Sequence, residues 1–413
     1  MSKILIVEDN EFFAQVMSRA IFEKFSYTID IVYSAKQARE KLLNNTYEFL
    51  VVDLILPDSE GDFIEELSKK YNNIIVTTDF EDELTRKKIT SLDIIDYIIK
   101  SDSSDFTYLL NVIHRLHSNK NITVLVVEGS LSERAHIVHL LTLQRLRVLT
   151  AGDGLEAINV LNKHAHEVDM IITDYNMPNM DGLALLKHVR KGYAIDQLPI
   201  IALSAVESKS IIARFLKAGA NDYILKPFSK EEFFCRINLS LNNLEMLRSA
   251  QKAALTDQLT GLHNRYYLDK RLAELSKNTN GENSLAILDI DNFKKINDRF
   301  GHHTGDLALK FFAIHLLDHF DIENIIRMGG EEFLVLLPGM YKNEAVLQIE
   351  ALRAEMEEAA FSDDNHQTVS FTFSAGVAAT ASGKCDEAIK TADGFLYLAK
   401  ENGRNRIEFK GSK

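Results

Sequence analysis

Two stretches near the carboxyl end carry acids where phosphate chemistry would need them. Leu288-Asp289-Ile290-Asp291-Asn292-Phe293-Lys294-Lys295-Ile296-Asn297 closes an apolar run with an acid and passes into a helical pattern. Arg327-Met328-Gly329-Gly330-Glu331-Glu332-Phe333 sets two glycines and two acids between strand-like runs, and the glycine pair reads as a tight hairpin turn. If the strand ending at Asp289 neighbours that hairpin, Asp289 and Glu331 face one another. Two carboxylates with a nearby main-chain oxygen suit Mg²⁺, a hard cation that shares its shell with substrate phosphates. Such a site fits phosphoryl transfer by two metals, one polarising an α-phosphate and the other stabilising the leaving pyrophosphate.

A second constellation lies at the amino end: Glu8, Asp9, Asp53 and Lys100. Clustered carboxylates repel one another unless a cation such as Mg²⁺ neutralises them. A carboxylate held beside that ion can attack a phosphoryl donor. Lys100 then partners the added phosphate, and a hydroxyl, Thr77 or Thr78, can reorient toward it.

Composition bounds what can position these groups. A chain of 413 residues makes about three domains at the usual ~150 residues each. With 46% apolar and 26% charged residues it can bury several cores, and with Gly 19 and Pro 5 it is neither collagen-like nor low-complexity. A net charge of −13 disfavours a DNA partner bound by neutralising phosphates. Cys235 and Cys385 are far apart, form no metal or disulfide pattern, and read as small apolar fillers in a reducing compartment. The chain opens on the strand-like Ile4-Leu5-Ile6-Val7, with no leader pattern and no apolar run long enough to insert in a membrane, so a cytoplasmic location is expected.

An internal repeat sets the architecture. Ile4-Leu5-Ile6-Val7-Glu8 recurs as Val124-Leu125-Val126-Val127-Glu128, and Asp53, Pro57 and Gly61 recur as Asp174, Pro178 and Gly182. Short β-branched runs alternate with helical patterns in each copy, predicting two α/β doubly wound domains with parallel sheets, over 1–119 and 120–235. In such sheets functional groups gather at the carboxyl ends of the strands. Ser229-Lys230-Glu231-Glu232 reads as a capping box opening a helical linker over 229–256. Phe234, Ile237, Leu241, Leu244, Arg248, Gln251 and Leu255 form a heptad seam along it; packing of its first half on its own domain competes with a dimeric stalk, which is expected beyond about residue 240. Residues 257–413 change to an α+β pattern with an antiparallel sheet, its strands at 285–290, 325–327, 333–337 and 371–379.

Both amino-terminal copies resemble the receiver domain of bacterial two-component response regulators. The resemblance implies a cognate histidine kinase as partner, phosphoryl transfer to Asp53, Lys100 and the threonine as switch groups, and Tyr97 and Tyr223, three residues before each lysine, as switch aromatics. A plain half-buried strand residue is the competing reading of Tyr97. Copy two keeps Asp174, Ser204 and Lys226 but has Glu128-Gly129 where copy one has Glu8-Asp9. With a metal-touching carboxylate missing, it is expected to be phosphorylated poorly or not at all and to serve in packing or dimerisation. Copy one departs too, since Ser101 follows Lys100 where Pro227 follows Lys226, and a shorter interval between acid and lysine leaves Thr77 and Thr78 both open.

Two patterns mislead. Gly152-Asp153-Gly154-Leu155-Glu156-Ala157 matches a dinucleotide fingerprint, but it follows the second strand of its domain rather than the first. His315 and His319 sit at helical spacing without the glutamate of a zinc protease, and read as a solvated or half-buried face.

The carboxyl-terminal third closely resembles the GGDEF diguanylate cyclase family over about 257–410. The resemblance rests on Gly329-Gly330-Glu331-Glu332-Phe333, Asp257-Gln258-Leu259-Thr260-Gly261-Leu262-His263-Asn264-Arg265 and Gly301-His302-His303-Thr304-Gly305-Asp306, and implies a palm-like α+β domain. It also implies that Asp289, the carbonyl of Ile290 and Glu331 hold two Mg²⁺ per GTP, beside the one Mg²⁺ of the first receiver. Glu331 would help deprotonate a 3′-hydroxyl, with Glu332 as an auxiliary. Asn297 and Asp306 match guanine-reading positions; guanine's N1–H and N2–H₂ are donors that a carboxylate accepts as a pair. Lys294, Arg327, Lys400 and Arg404 match phosphate-contacting positions, and Asp291 reads as a structural acid. The family's product-feedback motif, Arg-x-x-Asp, is replaced by Phe320-Asp321-Ile322-Glu323.

One GTP per domain makes a symmetric dinucleotide only across a homodimer. The expected function is phosphorylation-regulated condensation of two GTP into cyclic di-GMP and two pyrophosphates, acting on cyclic di-GMP receptors downstream. The competing readings are an adaptor that senses GTP or cyclic di-GMP without catalysis, and a phosphorelay intermediate that needs only Asp53.

Overall fold

Apolar runs of four or five residues, many of them wholly enclosed, make two parallel sheets of identical winding. In the first, the strands Thr28–Val32, Lys3–Val7, Phe49–Asp53, Ile74–Thr78 and Asp96–Ile99 lie side by side in that order. In the second, Arg147–Ala151, Thr123–Val127, Met170–Asp174, Ile200–Ser204 and Asp222–Leu225 repeat it. Each sheet is covered by helices on both faces, with separate apolar cores either side. This is the doubly wound order whose switch point lies between the first and third strands of the chain. Glu8 follows the first strand and Asp53 ends the third, so the winding itself brings them together. The computed structural model describes residues 2–79, 82–100, 103–164, 167–205, 209–275, 283–380 and 385–410, in two units, Met1–Glu245 and Met246–Lys413. Ser101 lies outside the described residues.

The long helix runs over Lys230–Leu255, and Ser229 caps it by accepting from the Glu232 amide at 3.0 Å. The first half of the seam follows the competing reading and packs on its own domain. Phe234, Ile237 and Leu241 are buried in the core of the second sheet together with Phe233, and burial continues to Leu244. A spacing of three and four residues marks any helix with one apolar face, and here the face meets a sheet. Cys235 projects on the exposed side of this helix, which corrects its reading as an apolar filler; the side chain of Cys385 is outside the described residues.

Within the same unit the two α/β domains are joined by polar contacts. Gln144 donates to the Ile95 carbonyl at 3.0 Å, and Glu48 takes ion pairs from Lys120 at 2.6 Å and Arg145 at 2.9 Å. Glu231 pairs with Arg86 at 2.7 Å and accepts from the Tyr97 hydroxyl at 2.5 Å. Arg115, almost fully buried, reaches Glu245.

The second unit holds a six-stranded sheet in the order His263–Asn264, Ile325–Gly329, Glu332–Leu337, Asn283–Ile290, Phe373–Thr380, Ile407–Glu408. Its four central strands are antiparallel, as the pattern predicted. Both edge pairings are parallel, because two-residue strands are too short to leave a period in the sequence. One face packs Phe312, Phe333 and Phe373 under the helices His302–His319 and Lys342–Glu358; the other packs Leu285, Leu334 and Leu396. No helix of the described residues is long and apolar enough to cross a membrane.

Candidate functional site

The Gly329–Gly330 pair takes φ of +143° and +54°, a conformation that side chains resist. It closes the hairpin and delivers Glu331 and Glu332 beside the neighbouring strand end. Asp289 stands opposite Glu332 in the register, and the Ile290 amide approaches the Glu331 carbonyl at 3.4 Å. Asp289 is 5% exposed. Burial pushes its carboxyl up to about 6; Lys400 opposes this, and the charges of Glu331 and Glu332 add to it. Lys400 Nζ rests on Asp289 Oδ2 at 2.8 Å. A buried acid flanked by two more, with one lysine standing against it, is a donor set that suits a hard divalent cation.

On the helix Phe293–Phe300, the Asn297 side chain lies over Gly305. A Cβ added at Gly305 would come within 1.9 Å of Asn297 Oδ1, so the glycine leaves the space the amide occupies. Asp306 is the next residue, exposed on the same helix start. Lys294 is exposed in the first turn of the helix Phe293–Phe300, and Arg404 is exposed in the loop after the helix Cys385–Glu401.

Arg327, expected among the phosphate contacts, has its guanidinium engaged within the domain. Nη1 pairs with Asp257 at 2.9 Å, and Nε and Nη2 donate to the Gly330 carbonyl at 3.1 and 2.7 Å. Its planar fork therefore braces the glycine turn against the segment after the long helix. Asp257 stood in the sequence only as part of a motif, and its partner became visible with the pairing of the strands. The expected structural role of Asp291 matches a buried carboxylate that accepts from Thr372, Ser374 and the Asn405 amide.

In the first α/β domain, Glu8, Asp9 and Asp53 offer oxygens that all lie within 4.8 Å of one another. Lys100 Nζ meets Asp53 at 2.7 Å and Glu8 at 3.1 Å. Burial raises both carboxyls; Asp53 adds to the rise at Glu8 and Asp79 to that at Asp53, while Lys100 opposes each. Asp79, 3.7 Å from Lys100, was missed in the sequence although it directly follows the two threonines. The register separates those threonines. Thr77 pairs with Asp53 and Thr78 with Ile99, and the Lys100 amide donates to the Thr78 carbonyl. In the second domain Leu203 pairs with Asp174, and the Lys226 amide donates to Ser204. Thr78 is therefore the positional counterpart of Ser204. The Thr77 hydroxyl is buried without a hydrogen-bond partner.

The second pocket is built differently. Lys226 Nζ is held by Glu128 at 2.6 Å, Asp174 at 2.8 Å and Glu133 at 2.5 Å. Burial works against its charge, and the carboxylates more than offset it and raise the ammonium above its usual range. Glu133 enters from the helix Leu131–Leu143, at the position where the first copy has Phe13, and was missed because the repeat gave it no counterpart. Tyr223 is buried in the strand that leads to Lys226.

With this geometry established, residues 4–111 and 124–238 match the model of the response regulator receiver domain, and residues 254–406 that of the diguanylate cyclase GGDEF domain. The response regulator PleD of Caulobacter vibrioides is 35% identical over 257 residues, covering 58% of this chain and 56% of its own. The diguanylate cyclase DgcP of Pseudomonas aeruginosa is 42% identical over 167 residues, 39% of this chain and 25% of its own. The chain thus spans about half the length of the first of these curated relatives and a quarter of the second. The crystal structure of a two-component system response regulator/GGDEF domain protein is 32% identical, with a TM-score of 0.53, and matches 59% of this chain and 100% of its own.

Proposed function

Because the chain belongs to the family of response regulators that join receiver domains to a GGDEF diguanylate cyclase domain, we propose that it condenses two GTP into cyclic di-GMP. The observation that carries this reading is the buried Asp289 beside the glycine turn, where the charges of Glu331 and Glu332 add to the rise of its carboxyl and make the strand end attractive to cations. Asp289, the Ile290 carbonyl and Glu331 would hold Mg²⁺, which when bound polarises the α-phosphate and neutralises the departing pyrophosphate. Asn297 and Asp306 accept from the guanine edge, and Lys294, Lys400 and Arg404 attract the triphosphate. The 3′-hydroxyl of one GTP gives its proton toward Glu331 and forms a bond to the α-phosphorus of the other. The bond from that phosphorus to the β-phosphate oxygen breaks, and pyrophosphate leaves. The same exchange in the reverse sense closes the ring, so two copies must face one another.

Regulation follows from the first receiver. Phosphorylation of Asp53 by a histidine kinase draws Lys100 and Thr78 to the new phosphate, and Tyr97 carries the change to Glu231 at the start of the helix that leads into the cyclase domain. The second receiver, which has Gly129 where the first has the acid Asp9, takes phosphate poorly or not at all and serves in packing or dimerisation. Pure protein incubated with GTP and Mg²⁺ yields cyclic di-GMP, and a phosphate mimic such as beryllium fluoride raises both turnover and the dimer fraction. Absence of the dinucleotide under both conditions overturns the enzyme reading.

A further inference from the structure

Asp291 lies one residue past Ile290 and two past Asp289, at the end of the strand Asn283–Ile290. It is 5% exposed, and its two oxygens serve different purposes. Oδ1 accepts from Ser374 Oγ at 2.7 Å. Oδ2 accepts from Thr372 Oγ1 at 2.7 Å and from the main-chain amide of Asn405 at 2.9 Å. The last bond reaches across more than a hundred residues into the loop that carries Arg404.

That loop has an unusual backbone. Arg404 and Asn405 take φ of +66° and +46°, two consecutive non-glycine residues in the left-handed region, each costly without outside support. Support comes from several sides. The Arg404 amide donates to the Ala399 carbonyl at 3.0 Å. The Asn405 side chain accepts from Arg353 and donates to Glu357, each at 2.9 Å. Asp291 supplies a further clamp, which ties the loop to the strand end that bears the cation-binding acid. Charged acceptors make the stronger hydrogen bonds, and this acceptor is buried.

We propose that Asp291 is a positioning residue that fixes the left-handed backbone at Arg404 and Asn405, so that the Arg404 guanidinium is aimed at the triphosphate bound beside Asp289. This rests on the GTP reading given above. Asp291→Asn keeps the size of the side chain but removes its charge, so the clamp on the Asn405 N–H loses its charge assistance or, with the amide turned toward it, is lost.

The test is a double-mutant cycle read by binding of a non-hydrolysable GTP analogue with Mg²⁺ to the full chain. Asp291→Asn is expected to weaken binding by about tenfold, the size of one lost charge-assisted hydrogen bond. Arg404→Ala weakens it as well, and the double variant binds no worse than Arg404→Ala alone, because Asp291 acts through that arginine. Ser374→Ala, which removes the donor to the other oxygen, leaves binding within about twofold; a uniform effect of stability would move it with Asp291→Asn. Should Asp291→Asn fail to fold, Asp291→Ser, whose shorter side chain removes the carboxylate from the Asn405 amide, takes its place in the cycle. Wild-type binding by Asp291→Asn, additive losses, or an equal loss in Ser374→Ala overturns the inference. An analogue that does not bind the wild-type chain instead overturns the reading of the site.

Discussion

Lys400 and Asp289 form an ion pair of 2.8 Å at the strand end where cations would collect. Lysine here stands against an acid that burial drives toward protonation, so binding of a divalent ion must first displace it. Lys400→Met is expected to tighten Mn²⁺ binding to the nucleotide-free chain several-fold, since a competitor is gone, and to slow cyclic di-GMP formation by about a hundredfold, since a group facing the phosphates is lost. Metal titration and turnover together check this. Weaker Mn²⁺ binding would contradict it.

Gly305 gives Asn297 its place. Gly305→Ala forces the Asn297 amide aside, because its Oδ1 would sit 1.9 Å from the added carbon. Discrimination between GTP and ATP should fall by about tenfold, in line with loss of a hydrogen bond that reads the base. Competition binding of the two nucleotides measures it, and an unchanged ratio would count against the assignment of Asn297.

Thr77 and Thr78 should part company. Thr78→Ala is expected to leave Asp53 labelling by a phosphodonor intact while removing most of the gain in turnover. Thr77→Val deletes a buried hydroxyl that has no partner, and should be neutral or stabilising by about 1 kcal/mol. The reverse pattern would make Thr77 the switch.

Tyr97 reaches Glu231 at 2.5 Å, and burial pushes its hydroxyl up to about 12. Tyr97→Phe is expected to keep both Asp53 labelling and unstimulated turnover, yet to lose most of the response to phosphorylation. Glu231→Gln, which weakens the Arg86 pair too, should behave likewise. A full response in both variants would exclude this route to the helix Lys230–Leu255.

Acid should loosen the contact between the two receivers through Glu48. Burial alone would raise this carboxyl, but Lys120, Ser2 and Arg145 hold it at about 2, below its ordinary 4.5. A group with a lowered folded value contributes stability above its unfolded value and loses it as pH falls through the folded one. Unfolding midpoints should therefore drop as pH falls from about 4.5 toward 2, and less steeply in Glu48→Gln, which at neutral pH is less stable by about 2 kcal/mol. Parallel curves for the two proteins would rule Glu48 out.

Much of this molecule is legible in its residues. The β-branched runs announced both parallel sheets, since a strand buried on two faces has to be apolar throughout. The acids at Glu8, Asp53 and Asp289 stood at strand ends, and the Gly329–Gly330 pair announced its turn. Parallel edge strands of two residues and the course of the helix face at Phe234, Ile237 and Leu241 were not legible, because a period of three and four fits a sheet or a second helix equally well.

The sequence by itself determined which groups could do chemistry and which strands carry them, because residue type and local period are properties of short segments. Tertiary structure decided what each group faces. It assigned Thr78 rather than Thr77 as the counterpart of Ser204, turned Arg327 onto Asp257 and Gly330, brought Glu133 to Lys226, and set Glu231 against Tyr97. Each of these pairs joins segments far apart in the chain or depends on strand register, and a contact between distant segments is fixed only when the sheets and helices between them close.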